Sequence, residues 1–301
     1  MDRNSVKWRG NICAIVTPFT KDGDLDEAAF CQNIELLISE GINGVIVAGC
    51  TGEFWALKDD ERVRAFELGV ATAKKRIPVL GGTSDIVTSR SVALTKRAKA
   101  VGCDGVMVTP PPYVLVSPRE VIAHFRAISN VGLPIMMYNI PKRQGINVTP
   151  RLIAEMTDIE CLVAVKQSSD SFHDVVETVR LAGDKLLIFA GHSVIRGFPS
   201  VAMGCDGFIS SVEPQVMGRE AIDLYRLAAA NKVDEVRKLQ YRCVALDEAI
   251  HGGVGTFPAS LKAAMNLRGR PGGYAREPLL PLTDDEQAKL KKVLGGLGLL
   301  K

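Results

Sequence analysis

Eight short apolar runs, spaced through the first two thirds of the chain, constrain its fold more than any other feature. They are Ile12–Val16, Gly44–Ala48, Pro78–Leu80, Gly105–Val108, Pro134–Tyr138, Leu162–Lys166, Leu187–Ala190 and Gly207–Ser210. Runs this short and this apolar read as strands covered on both faces, as in parallel sheets. Segments of helical periodicity separate them, among them Glu27–Ser39, Asp60–Lys75, Ser89–Ala100 and Pro118–Ser129. Strand alternating with helix predicts βα units. Eight units predict an α/β fold of one kind, a closed (β/α)8 TIM barrel. A doubly wound open sheet would carry a glycine-rich fingerprint after its first strand, and Thr17-Pro-Phe-Thr-Lys-Asp-Gly23 is not one.

An internal repeat supports the barrel. Gly41-Ile-Asn-Gly-Val-Ile-Val47, Gly102-Cys-Asp-Gly-Val-Met-Val108 and Gly204-Cys-Asp-Gly-Phe-Ile-Ser210 share one pattern. Each opens with a glycine suited to end a helix in the left-handed conformation, followed by a polar turn and a buried strand. Helix starts are marked as well: Ser117-Pro118-Arg-Glu120 and Thr149-Pro150 each place a capping hydroxyl before a proline. Beyond Ser211 the pattern changes to helices without strands: Met217–Ala230, Val233–Ala249 and Pro258–Leu267. A Gly/Pro-rich loop, Gly269–Pro281, follows, and Thr283-Asp-Asp-Glu286 forms a capping box before a last helix. The expected division is a catalytic barrel over residues 1–224 and a C-terminal helical domain over 225–301.

Composition narrows the function. Net charge is +3, with no Lys/Arg block, which argues against nucleic acid as a partner. No segment is long and apolar enough to suggest a membrane span, and the N-terminus lacks the apolar core of a signal peptide. The seven cysteines are odd in number and form no C-x-x-C pair, so they read as reduced thiols in a cytoplasmic protein. The four histidines show no metal-ligand spacing. No metal or other cofactor is expected, and a metal-dependent aldolase is disfavoured.

A barrel places its chemistry at the carboxyl ends of its strands. The sixth run ends in Lys166, where a lysine would be poorly hydrated. Desolvation disfavours the ammonium form and exposes a free amine near neutral pH, the nucleophile that forms a Schiff base with a carbonyl substrate. The competing reading is a strand-end lysine that reaches out to water. Schiff-base chemistry needs a proton carrier, and Tyr138 ends the adjacent strand. Thr51, after the second run, could extend that relay to solvent. Arg143, in the loop after the fifth, could hold a carboxylate through two hydrogen bonds. His192 and Ser211 follow the seventh and eighth.

Several of these residues fall in specific motifs: Thr17-Pro-Phe19, Gly49-Cys-Thr-Gly-Glu53, Thr109–Tyr113, Tyr138-Asn-Ile-Pro-Lys-Arg-Gln-Gly145 and Val165-Lys166. With these the chain resembles the dihydrodipicolinate synthase / N-acetylneuraminate lyase family over essentially its whole length. The resemblance implies a (β/α)8 barrel with a C-terminal helical domain, usually a homotetramer, acting on pyruvate or another 2-oxo acid and a second small substrate. By the same resemblance Lys166 is the Schiff-base lysine and Tyr138 the proton shuttle. Cys50 and Thr51 match the pair that binds the pyruvate carboxylate, the first of the pair also bonding to the tyrosine. Tyr113 matches a tyrosine that one subunit lends to its neighbour. Arg143 matches the arginine that holds the second substrate's carboxylate in the synthases. Ile209 matches the position whose backbone carbonyl faces the pyruvyl group.

The chain departs from the pattern in places. Cys50 stands where a hydroxyl is usual, and a thiol is the weaker donor. Pro112 stands where synthases often carry an aromatic. Gln167-Ser168 is closer to the sugar-acid lyases, and His192 is a candidate to read the distal part of the substrate. The expectation is a Schiff-base lyase, an aldolase or a dehydratase. The alternatives are a 4-hydroxy-tetrahydrodipicolinate synthase of lysine biosynthesis and a non-catalytic pyruvate-binding barrel.

Overall fold

The computed structural model describes residues 1–300. Eight parallel strands close into a barrel in chain order. They are β1 (Gly10–Ala14), β2 (Gly44–Val47), β3 (Val79–Gly82), β4 (Gly105–Val108), β5 (Ile135–Asn139), β6 (Leu162–Gln167), β7 (Leu187–Ala190) and β8 (Gly207–Ser210), and β8 pairs back onto β1. Every strand residue is buried, as expected of a sheet with side chains inside and helices outside. Inward residues such as Ile12, Ile46, Met107, Met136 and Phe189 form one apolar cluster, and outward residues pack beneath the helices in another. Trp8 closes the amino-terminal end of the inner cluster.

The repeat is a device for starting strands. Gly41, Gly102 and Gly204 have φ of 99°, 87° and 98°, a region in which only glycine is unstrained. The polar residue two places later accepts a backbone N–H from a neighbouring strand. Asn43 serves Asn11, Asp104 serves Val79 and Asp206 serves Ile188, each at 2.9 Å. The second glycine makes room: a Cβ on Gly105 would lie 2.5 Å from the Trp8 ring, and one on Gly207 would lie 2.0 Å from the Gly10 carbonyl oxygen.

Two sequence-based boundaries need correction. The first strand is Gly10–Ala14, two residues earlier than the apolar run Ile12–Val16 suggests. Val16 leaves the sheet because its N–H bonds to the Gln215 side chain instead of a strand. The segment Met217–Ala230 is not one helix. It is divided among Val212–Met217, Arg219–Ile222 and Leu224–Ala229, with Gly218 at φ 71° marking the first break. The capping boxes at Ser117/Glu120 and Thr283/Glu286 are formed as expected. The C-terminal helices Val233–Glu248, Ala259–Leu267 and Asp284–Gly296 build a third apolar cluster that also takes in Val194 and Phe208 of the barrel. No helix among the described residues is long and apolar enough to cross a membrane.

Candidate active site

Alternation along β5 and β6 decides which side chains reach the interior. Met136 and Tyr138 point inward, and Ile135 and Met137 outward. A register shift beside Ile135/Met136 gives β6 one extra residue and pairs Lys166 with Tyr138. Bulges of this kind re-aim a side chain. Lys166 Nζ lies 3.8 Å from the centroid of the Tyr138 ring, with the two residues only 8% and 5% exposed. Burial, opposed by the Cys50 sulfur and assisted by the Arg143 charge, pulls the Lys166 ammonium down to about 8. Burial pushes the Tyr138 phenol well above its ordinary range, and the Cys50 sulfur adds to this; Arg143 and the Ser168 hydroxyl act against it. Tyr138 therefore stays protonated at neutral pH. The Cys50 thiol is raised by burial too, against the pull of the Lys166 and Arg143 charges.

Lys166 and Tyr138 line a cavity of ≈ 340 Å³ at the carboxyl end of the barrel, together with Cys50, Thr51, Arg143 and Ser168. His192, Ile209 and Ser211 line it as well. Tyr113 is not among its lining residues. It is 88% exposed, on the loop after β4, with φ of 72°. Gln167 is also absent from the cavity. As an outward residue of β6 it receives Asn139 Nδ2 at 2.8 Å and donates to Thr178. Of the Gln167-Ser168 pair, only Ser168 is placed to meet a substrate. Its side chain occupies the space beside Gly191, where a Cβ would lie 1.7 Å from Ser168 Oγ.

The motif residues that do not face the cavity build its frame. Asn139 Oδ1 accepts from Gln144 Nε2 and from the Val148 N–H, and the Ile140 N–H donates to Gln144 Oε1. These bonds fold the loop that presents Arg143. Glu53, the last residue of the Gly49–Glu53 motif, turns away from the cavity in a left-handed conformation and forms a fully buried ion pair with Lys262 of the C-terminal helices. Lys262 Nζ also donates to the carbonyls of Thr17 and Tyr274, at 2.6 and 2.7 Å. The Arg276 N–H donates to the second Glu53 oxygen. The loop that carries Cys50 and Thr51 is thus tied down by the far end of the chain.

The cavity has a further wall that sequence reasoning missed. Ser193, Glu213, Asp247, His251 and Phe257 all line it. Ser193 Oγ donates to Glu213 Oε1, and Asp247 pairs with His251 at 3.0 Å. The His251 ring stacks on Phe257 at 4.5 Å. Glu213 lies two residues past the last strand end considered above. Asp247, His251 and Phe257 arrive from the helical segment, and no spacing in the sequence links them to Lys166. Among the described residues, no group of three or more His, Cys, Asp or Glu is arranged to hold a metal.

The chain is similar to known proteins over nearly its whole length. The model of the Dihydrodipicolinate synthetase family matches residues 7–296. An uncharacterized DapA-like lyase of Rhizobium meliloti is 36% identical, covering 97% of both chains. The 4-hydroxy-tetrahydrodipicolinate synthase of Geotalea uraniireducens is 32% identical over 97% of this chain and 100% of its own. Among solved structures, dihydrodipicolinate synthase from Aquifex aeolicus superposes with a TM-score of 0.91 at 30% identity, covering 97% of this chain and 99% of its own. A prophage protein of the dihydrodipicolinic acid synthase family from E. coli K12, in complex with pyruvate, gives a TM-score of 0.91 at 26% identity, covering 98% and 100%.

Proposed function

The chain belongs to the dihydrodipicolinate synthetase family, and on that premise we propose that it is a lyase that forms a Schiff base between Lys166 and pyruvate or another 2-oxo acid. One observation carries the reading: a buried amine, brought down to about 8, sits over a buried tyrosine in a cavity at the carboxyl end of the barrel. The neutral amine attacks the keto carbon. Tyr138, held protonated by its burial, gives a proton to the departing hydroxyl, and water leaves as the iminium forms. Loss of a methyl proton makes the enamine, which adds to a second carbonyl; the same steps run backward cleave a carbon–carbon bond. Metal ions have no part in this route.

Thr51 and Cys50 hold the carboxylate beside the new iminium, with the Ile209 carbonyl facing the pyruvyl group. Ser168 supports Tyr138, the task for which Cys50 is the poorer donor. Arg143, exposed at the mouth, receives the second substrate, and His192 and Ser211 meet its distal part. Tyr113 works in a neighbouring subunit of a homotetramer. That role is supported by the exposure of Tyr113 and Leu115, which leaves apolar surface for a partner to cover. The cytoplasm is the compartment in which all seven cysteines would stay unpaired, as they are here. Among substrates, a sugar acid or a related 2-oxo acid is preferred, because Ser168 and the unusual Cys50 both face the cavity. Arg143 supports the second reading, a 4-hydroxy-tetrahydrodipicolinate synthase that uses a carboxylated semialdehyde.

The test is borohydride reduction in the presence of pyruvate, read by mass spectrometry. A reduced pyruvyl adduct is expected on Lys166 alone. Absence of an adduct with any 2-oxo acid ends the proposal. Assaying 2-keto-3-deoxy sugar acids for pyruvate release, and aldehydes for pyruvate consumption, separates the two substrate readings.

A further inference from the structure

Resting on the Schiff-base reading above, we propose that Glu213 is a second acid–base residue of this site, which exchanges a proton with the oxygen of the distal carbonyl while the carbon–carbon bond forms or breaks. Glu213 is the second residue of the helix Val212–Met217, which follows β8, and it lines the same cavity as Lys166 although it is only 1% exposed. Its carboxyl group accepts from Ser193 Oγ, at the start of the helix Ser193–Ala202 that follows β7.

Glu213 also lacks a counter-charge. Two glutamates are buried in this protein. Glu53 is paired with Lys262, as buried carboxylates ordinarily are. Among the described residues, Glu213 has no cation within ion-pair distance. Cys13 of β1, and Cys243 and Asp247 of the helix Val233–Glu248, act on it or are acted on by it; Lys166, His192 and His251 line the same cavity without forming an ion pair with it. Neither the two thiols nor the Asp247 carboxyl group carries a positive charge. Burial pushes the Glu213 carboxyl up to about 7, with Asp247 adding to the rise and the Ser193 hydroxyl opposing it. A group that titrates near the working pH can both take and give a proton.

Two other proton carriers of the cavity rest protonated at neutral pH. The Tyr138 phenol and the Cys50 thiol are both raised by burial, so each holds its proton at neutral pH and must lose it before it can accept another. Cleavage needs an acceptor. The substrate hydroxyl gives its proton to the Glu213 carboxylate, and its oxygen becomes the carbonyl of the departing aldehyde. The carbon–carbon bond breaks, and its electron pair moves through the former keto carbon to the iminium nitrogen, which leaves the neutral enamine on Lys166. In the synthetic direction the protonated carboxyl returns that proton to the aldehyde oxygen as the enamine carbon attacks.

Glu213→Gln in the full-length protein separates this step from the ones before it. Exchange of the pyruvate methyl hydrogens with deuterated solvent, followed by NMR, reports enamine formation and should stay within about twofold of the unaltered protein. Borohydride trapping at Lys166 should do the same. Aldol addition of pyruvate to glycolaldehyde, glyceraldehyde or a carboxylated semialdehyde should fall by roughly 10²- to 10⁴-fold. A limb of the pH–rate profile near 7 should vanish with it. Ser193→Ala is the second variant: removing the donor should move that limb to higher pH while Glu213 remains. Equal losses in exchange and addition would make Glu213 structural and overturn the proposal. So would unchanged addition, a limb that does not move in Ser193→Ala, or an unaltered protein that exchanges pyruvate hydrogens yet joins none of the three aldehydes. Failure of the unaltered protein to form any pyruvyl adduct would defeat the Schiff-base reading instead.

Discussion

Raising the pH should switch Lys166 on well below the range of an ordinary lysine. At pH 7 an amine brought down to about 8 is roughly a tenth free, against about 0.04% for one at the usual 10.4, a gain of about 230-fold. Most of that gain comes from burial, and part from the Arg143 charge. The assay is the initial rate of reductively trapped adduct at fixed, sub-saturating pyruvate between pH 6 and 10. The logarithm of the rate should climb with unit slope and level off near pH 8. In Arg143→Ala the plateau should move to higher pH, because a cation that disfavours the ammonium has gone. Stability provides an independent check. Between pH 8 and about 10.4 the folded state binds fewer protons at Lys166 than the unfolded chain, so stability rises with pH through that window. The full difference is about 3 kcal/mol, and it should be missing from Lys166→Met. A rate that still climbs at pH 9.5, or a Lys166→Met variant whose stability follows pH as the parent does, would refute the reasoning that burial creates the nucleophile.

Two further outcomes follow from the frame of the site. Lys262→Met strands the buried Glu53 carboxylate and should cost roughly 3–5 kcal/mol in denaturant titration. Adding Glu53→Gln to it should recover at least half, and equal losses in the single and double variants would remove the ion pair as the cause. Gly191→Ala forces Ser168 from its place; a cost of about 1–3 kcal/mol and a lower rate of pyruvate hydrogen exchange are expected, and normal exchange would show that Ser168 does not support Tyr138.

The barrel was readable because each of its strands is a short apolar run and each repeat starts with a glycine that the backbone requires. The first strand was misplaced because Ile15 and Val16 are as apolar as strand residues, yet Val16 bonds to Gln215 from beyond β8, a contact that local pattern does not encode. Lys166 and Tyr138 could be picked out from their positions at adjacent strand ends, and their face-to-face placement follows from the bulge in β6. Gln167, beside Lys166, faces the other way because neighbours along a strand alternate. Glu213, Asp247 and His251 were not legible. Their approach to the cavity depends on how helices fold back over the barrel, and tertiary packing of that kind leaves no periodicity to count.

The clasp between Glu53 and the distant pair of Lys262 and Arg276 bears on how the protein is made. The Arg276 N–H and the Glu53 carboxylate it serves are 223 positions apart. A ribosome therefore releases the barrel's own residues well before the groups that hold the Cys50–Thr51 turn in place. Domains can begin folding during synthesis, but a nascent chain that stops short of Lys262 has its nucleophile and no firm seat for the acid it must grip. Competence comes only once Lys262 and Arg276 have been made, and a product terminated before them would be a barrel without a working mouth.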